Sequence, residues 1–263
     1  MQAKLVIVGG GRMGSALAAG LLRSGWASAE AIVVVEADSG RRELLAQDLP
    51  GVRVQADLVP ADGFIVAVKP VDAQGACSSL QALGASRVLS IVAGLSLSRL
   101  ESWLGSGAAV VRSMPNTPAV IGAGVSAISP GSNAGEADLL WAQELLGAVG
   151  TVVRVPESSL DAVTGLSGSG PAYVFLVAEA MIEAGVLAGL SREVSRELAV
   201  QTMAGSIRLL LESGEEPEVL RAQVTSPGGT TAAGLRTLEA RGVRSAFLEA
   251  VMSAAERSRQ LGA

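Results

Sequence analysis

Three glycines near the start of the chain have a spacing that could bind phosphate. Gly9, Gly11 and Gly14 form the pattern G-x-G-x-x-G between the strand-like run 4–8 and the Ala- and Leu-rich segment 15–22. In such a turn the first glycine permits a tight bend, the second lets a pyrophosphate approach the backbone, and the third allows close helix packing. The helix N-terminus adds free N–H groups and a positive dipole end. The pattern predicts a dinucleotide site at Gly9, Gly11, Arg12, Met13 and Gly14; a turn that binds nothing is the alternative.

Other predicted strand ends should converge on the same cleft, because ligands of open α/β sheets bind beyond the carboxyl ends of the strands. Glu36 ends the second predicted strand, where a carboxylate would accept the ribose hydroxyl of NAD. It would repel the 2′-phosphate of NADP, which Arg41 or Arg42 could attract; an ordinary solvated carboxylate is the alternative. The remaining residues expected at the cofactor are Ala67, Val68, Lys69, Pro70, Ala93 and Asn116. Lys69 could pair with a phosphate or be solvated.

A second set of polar groups lies far along the chain, in the segment 224–231, which reads Val-Thr-Ser-Pro-Gly-Gly-Thr-Thr and opens a predicted helix. Hydroxyls and free N–H groups at a helix start can bind a small anion such as a carboxylate. Helix capping is the simpler interpretation for Thr231 alone. Four hydroxyls around Pro-Gly-Gly exceed what capping requires, so we favour an anion site.

The amino-acid composition argues against several kinds of site and partner. The chain of 263 residues has no histidine and one cysteine, Cys77, so we expect no metal site, no histidine-based hydrolysis and no internal disulfide. A net charge of −5 without a basic stripe argues against nucleic acid. The longest apolar run, 171–190, is interrupted by Glu179 and Glu183, which argues against a membrane span. The N-terminus lacks a signal-like segment, and we expect a cytoplasmic protein.

The order of predicted elements gives the fold class. Strands are expected at 4–8, 31–36, 52–54, 64–68, 87–92, 108–114, 125–129 and 151–155, with helices at 15–22, 40–48, 71–83 and 134–147. This alternation predicts an α/β, Rossmann-type, doubly wound and mainly parallel sheet over residues 1–157. Helices at 171–190, 191–213, 218–223, 231–241 and 243–261 predict an all-α domain over residues 158–263. Its helices carry more apolar surface than a domain of about 100 residues is expected to bury, which favours a dimer over a compact monomeric bundle.

Five segments together resemble the pyrroline-5-carboxylate reductase family. They are 6–17, Ala67-Val-Lys-Pro70, Met114-Pro-Asn-Thr-Pro118, Gly168-Ser-Gly-Pro-Ala-Tyr173 and 224–231. The resemblance implies NAD(P)H-dependent reduction of 1-pyrroline-5-carboxylate to L-proline, and a homodimer through the C-terminal helices that is often assembled into decamers. The sequence departs from the family at Glu36, where a small polar residue is common, and at the shortened segment 55–62.

The resemblance and the residue chemistry together imply roles for the second loop. Ser226, Gly229 and Thr230 would bind the substrate carboxylate, and Thr231 would hydrogen-bond the ring nitrogen as the catalytic residue. A protonated cyclic imine is already electrophilic, so its reduction needs no histidine. Two alternatives stay open: a dinucleotide-binding redox sensor, and another small-imine or hydroxyacid reductase. A lysine-dependent hydroxyacid reductase is disfavoured, because Lys4 and Lys69 are the only lysines.

Overall fold

A computed structural model describes residues 3–262 of the chain. The chain folds as two compact units: residues up to Ser169 together with Met252 onward, and Gly170–Val251. The boundary predicted from the sequence lies at 157/158. The observed division differs because residues 158–169 and the end of the last helix pack with the first unit, as in the hydrogen bond from Ser258 Oγ to Asp161 Oδ1 at 2.6 Å.

The first unit is built on an eight-stranded sheet. Its strands are β1 (Leu5–Val8), β2 (Ile32–Val35), β3 (Arg53–Gln55), β4 (Phe64–Val66), β5 (Arg87–Ser90), β6 (Ala109–Met114), β7 (Gly124–Pro130) and β8 (Gly150–Arg154). Their order is β3-β2-β1-β4-β5-β6-β7-β8, and β6 pairs antiparallel with β7 while every other pairing is parallel. The predicted Rossmann-type, mainly parallel sheet is confirmed.

The helices of this unit are α1 (Arg12–Arg23), α2 (Ser39–Asp48), α3 (Ala73–Ala82), α4 (Leu97–Leu104), α5 (Glu136–Gly147) and α6 (Leu160–Val163). Helix α4 is not among the predicted elements. Ser96 caps α4 by accepting a hydrogen bond from the Arg99 N–H, and Leu97, Leu100 and Leu104 are buried. Its eight residues hold only one short apolar stripe, which is a weak signal.

Both faces of the sheet are covered, as the continuous apolar run of β1 predicts. Leu5 and Ile7 belong to one buried cluster, whereas Val6 and Val8 belong to another. Successive strand side chains point to opposite faces, so the sheet separates two cores. The central strands therefore hold the loops at their carboxyl ends in fixed positions.

The second unit contains α7 (Gly170–Leu187), α8 (Arg192–Ser213), α9 (Pro217–Gln223), α10 (Thr230–Ala240) and the first part of α11 (Val243–Gly262). In the single chain, Ser195 and Ala199 are its only buried residues among those described. Phe175, Leu176 and Leu187 are 63%, 65% and 90% exposed. This unit alone has almost no core.

The helical stretch Glu157–Leu187 is long and apolar enough, by length and composition alone, to cross a membrane. Core helices of soluble proteins pass the same test, so this property is weak evidence. The expected lack of a membrane partner stays a prediction.

Candidate active site

The three glycines of the G-x-G-x-x-G motif, Gly9, Gly11 and Gly14, have different structural roles. Gly9 has φ +107°, and a Cβ there would lie 2.6 Å from the carbonyl oxygen of Ala67. A Cβ on Gly14 would overlap the carbonyl oxygen of Gly9. A Cβ on Gly11 would meet nothing within 4 Å. Gly9 and Gly14 are thus required by the fold, whereas the space beside Gly11 is left open for a ligand.

The loop leads directly into α1, whose N-cap is Gly11 and has no side-chain cap. The first backbone N–H groups of a helix have no partner inside it. They and the positive helix end therefore remain available to an anion at Gly11. This arrangement fits the pyrophosphate of a dinucleotide.

A cleft of about 780 Å³ opens at this point. Seven of the predicted cofactor residues line it: Gly9, Gly11, Arg12, Glu36, Ala67, Val68 and Lys69. Its charged walls carry three basic side chains, Arg12, Arg41 and Lys69, and two acidic ones, Glu36 and Asp72. The excess of positive charge suits a phosphate-bearing ligand.

Five predicted cofactor residues do not line this cleft. Gly14 is buried under Gly9, and Met13 packs against the core. Pro70 begins a 3-10 turn after β4 and is exposed, as is Ala93 after β5.

Asn116, the fifth predicted cofactor residue outside the cleft, makes hydrogen bonds with backbone groups of other segments. Its Oδ1 accepts a hydrogen bond from the Val125 N–H at 2.9 Å, and its Nδ2 donates to the Ser167 carbonyl at 3.3 Å. Ser167 lies in a π-helical turn, Thr164–Gly168, that precedes α7. π-turns occur often at functional sites. A role for Asn116 at the cofactor stays a prediction.

Glu36 is not a free surface carboxylate. Its Oε2 accepts a hydrogen bond from the Gly10 N–H at 3.0 Å, and its Oε1 accepts one from the Asp38 N–H at 3.1 Å. Arg41 Nε donates to the Gly10 carbonyl at 2.8 Å. The carboxylate lines the cleft and supports the glycine loop at once. Both carboxylate oxygens of Glu36 therefore have backbone partners, and a role for Glu36 at the cofactor stays a prediction.

Part of the cleft lining is not predicted from the sequence, namely Ala56, Leu58, Ala76 and Ser79. These four uncharged side chains come from the loop after β3 and from α3. No motif marks them, because any small residue could line a flat ligand surface. Only the strand order shows that they face the cleft.

The second predicted loop lies in the helical unit. Gly228 has φ +69°, the Gly229 N–H donates to the Ser226 carbonyl at 3.0 Å, and α10 begins at Thr230. The N-cap is Gly229, and no side chain caps the helix. The hydroxyls of Ser226, Thr230 and Thr231 have no hydrogen-bond partner within residues 3–262, and Thr231 is exposed. Capping therefore does not explain these hydroxyls.

Two protein-family models match different parts of the chain. Residues 157–261 match the pyrroline-5-carboxylate reductase dimerisation family, and residues 4–94 match the coenzyme F420-dependent NADP oxidoreductase family. The pyrroline-5-carboxylate reductase of Synechocystis is 45% identical over 100% of this chain and 99% of its own. That of Methanosarcina acetivorans is 44% identical over 98% of both chains.

Solved structures give the same result. A pyrroline-5-carboxylate reductase structure from Coxiella burnetii superposes with a TM-score of 0.93 at 31% identity, covering 100% of both chains. The Plasmodium falciparum pyrroline carboxylate reductase with NADP bound superposes with a TM-score of 0.87 at 31% identity, covering 99% of this chain and 98% of its own. The chain belongs to the pyrroline-5-carboxylate reductase family.

Proposed function

We propose that this protein reduces 1-pyrroline-5-carboxylate to L-proline with NADPH or NADH, the last step of proline synthesis. The observation that carries the proposal is the match of the whole chain to reductases of this name at 44–45% identity. The open space at Gly11 supports it, because a pyrophosphate would fill it. When bound, the reduced nicotinamide supplies the hydride.

The cofactor site is proposed on the first unit. Gly11 and the first turn of α1 offer backbone donors to the pyrophosphate, and Arg12 and Lys69 add positive charge to the same cleft. The guanidinium of Arg12 and the ammonium of Lys69 have no partner within residues 3–262, so both are free to meet phosphate. Ala67 and Val68 wall the cleft without bringing polar side chains that would need solvation.

The substrate site is proposed at the start of α10. The N–H groups of Thr230 and Thr231 lie in its first turn, and the Ser226 hydroxyl packs over Gly229. Together they form a carboxylate site without arginine. The Thr231 hydroxyl would hydrogen-bond the ring nitrogen and orient the imine carbon. Catalysis then depends on positioning and electrostatics, and no general base is needed.

The quaternary state is proposed to be a homodimer through the C-terminal helices, with further assembly to a decamer. The family match at 157–261 names dimerisation, and α7 and α8 leave large apolar side chains uncovered in the single chain. Covering that surface with a second copy would complete the missing core. We also propose a cytoplasmic location, without nucleic acid or membrane partners.

The test is oxidation of NADPH and NADH by purified protein, with and without 1-pyrroline-5-carboxylate. The proposal predicts steady oxidation that depends on the imine and yields proline. A redox sensor would bind the dinucleotide without turnover, and a different reductase would oxidise it only with another imine or a keto acid. Either result would overturn the proposal.

A further inference from the structure

Gly10, the middle residue of the glycine loop, is held at both of its backbone polar groups by side chains. Its N–H donates to Glu36 Oε2 at 3.0 Å, and its carbonyl accepts from Arg41 Nε at 2.8 Å. Gly10 is buried, and a Cβ there would overlap Leu45. We refer to these two side chains, Glu36 and Arg41, as the Gly10 clamp.

The clamp is itself anchored to the start of α2. Glu36 Oε1 accepts from the Asp38 N–H at 3.1 Å, and Asp38 Oδ1 accepts from the Arg41 N–H at 2.7 Å as the N-cap of α2. Arg42 Nη1 donates to the carbonyl oxygens of Glu36 and Ala37 at 2.9 and 2.7 Å. The backbone that carries Glu36 and Arg41 is therefore fixed, and their hold on Gly10 is geometrically defined.

The clamp has a consequence for Gly11. The Gly10 carbonyl and the Gly11 N–H belong to one planar trans peptide, so they point in opposite directions. Fixing the carbonyl on Arg41 also fixes the direction of the Gly11 N–H. That N–H makes no hydrogen bond within residues 3–262, and Gly11 lines the cleft. The Gly11 N–H is therefore a preoriented hydrogen-bond donor that has no partner in the described chain.

We propose that Glu36 and Arg41 are positioning residues that orient the Gly11 N–H toward the dinucleotide pyrophosphate. The proposal rests on the proposed cofactor site. It gives Glu36 a role that is independent of the ribose, since NADH and NADPH share the pyrophosphate. Loss of the clamp should weaken both nucleotides alike, whereas loss of a ribose-reading carboxylate should move them apart.

Three variants separate the two roles. Glu36→Ala removes the acceptor of the Gly10 N–H, and Arg41→Ala removes the donor to the Gly10 carbonyl. Glu36→Gln removes the charge and the acceptor of the Asp38 N–H but keeps a carbonyl oxygen for the Gly10 N–H. Glu43→Ala is the matched control, because Glu43 is an exposed carboxylate on α2, the helix that carries Arg41, and has no hydrogen bond or ion pair in the described chain.

The first readout is amide hydrogen exchange at Gly10 in the nucleotide-free protein with glycine-selective labelling. Glu36→Ala should speed exchange at Gly10 by roughly tenfold to a hundredfold, the effect expected for one lost hydrogen bond to a charged group. Exchange within β1 should not change. This readout needs no bound nucleotide, so it reports the clamp even if the proposed function fails.

The second readout is the dissociation constant of NADPH and of NADH by calorimetry. Glu36→Ala and Arg41→Ala should raise both constants by a similar factor of about ten. Glu36→Gln should raise both by less than Glu36→Ala does, and only the control should stay within about threefold of the parent. Unchanged Gly10 exchange in Glu36→Ala would overturn the proposal. If the dissociation constants of NADPH and NADH changed in opposite directions in Glu36→Ala, the proposal would also be overturned, and Glu36 would instead be assigned to ribose recognition. If either alanine variant fails to fold, the other alanine variant and Glu36→Gln decide.

Discussion

Replacing Gly11 by valine should separate cofactor binding from folding. Gly11 has φ −64° and ψ −178°, which any residue adopts, and an added Cβ meets nothing within 4 Å. The free energy of unfolding should therefore change by no more than about 1 kcal/mol. The side chain would occupy the space into which the pyrophosphate must come, and each hydrogen bond lost to a charged phosphate costs roughly 1.5–3 kcal/mol. We expect binding of NADPH and NADH to weaken by at least about tenfold to a hundredfold.

The assay combines calorimetric titration with thermal unfolding, and two other glycines serve as controls. Gly107→Val adds the same side chain to an exposed position that is also open, away from the cleft, and should change neither measurement. Gly14→Ala would overlap the Gly9 carbonyl and should destabilise the protein by about 1–3 kcal/mol. A Gly11→Val protein that binds either nucleotide as tightly as the parent would refute the assignment of the loop to the pyrophosphate.

Three further predictions concern other parts of the chain. Thr231→Ala should lower kcat by roughly tenfold to a hundredfold with little change in nucleotide affinity, while Thr231→Ser should retain most activity; equal rates for Ala and the parent would remove the hydroxyl from the mechanism. Light scattering across a dilution series should show no monomer at micromolar protein, and a single species at the chain mass of 26.5 kDa would contradict the dimer. Burial raises the pKa of the Cys77 thiol to about 11, so a thiol-alkylating reagent should leave folded protein unmodified near neutral pH and react after unfolding. Because the unfolded thiol ionises from about pH 9 and the folded one only near 11, this group should lower stability as the pH rises between those values, and Cys77→Ala should show a smaller loss.

The fold was predictable because its signals are local and repeated. The central strands of the parallel sheet are short apolar runs, and β1 and β2 end where Gly9 and Glu36 interrupt the run. Element ends differ from the predicted ones by up to three residues, because hydrogen bonding at the last turn, and not residue type, sets them. The helix at 97–104 is absent from the predicted elements because its apolar stripe extends over only about two turns.

The candidate site was predictable in its glycines but less so in its side chains. Spacing alone indicates that Gly9, Gly11 and Gly14 act together. Gly9 and Gly14 each relieve a backbone conflict, whereas Gly11 leaves open space beside the loop. Spacing could not show that Glu36 holds Gly10, because that contact spans 26 positions and depends on the pairing of β1 with β2. Asn116 likewise braces backbone that is distant along the chain. Long-range hydrogen bonds of this kind leave no local pattern.

The central claim is that this chain transfers a hydride from a reduced nicotinamide to the imine carbon of 1-pyrroline-5-carboxylate. It is tested most directly with NADPH or NADH that carries deuterium at the transferable position, followed by mass spectrometry of the product. We predict proline that carries one deuterium on the former imine carbon, formed in step with nucleotide oxidation. Nucleotide oxidation without labelled proline, or binding without oxidation, would contradict the claim.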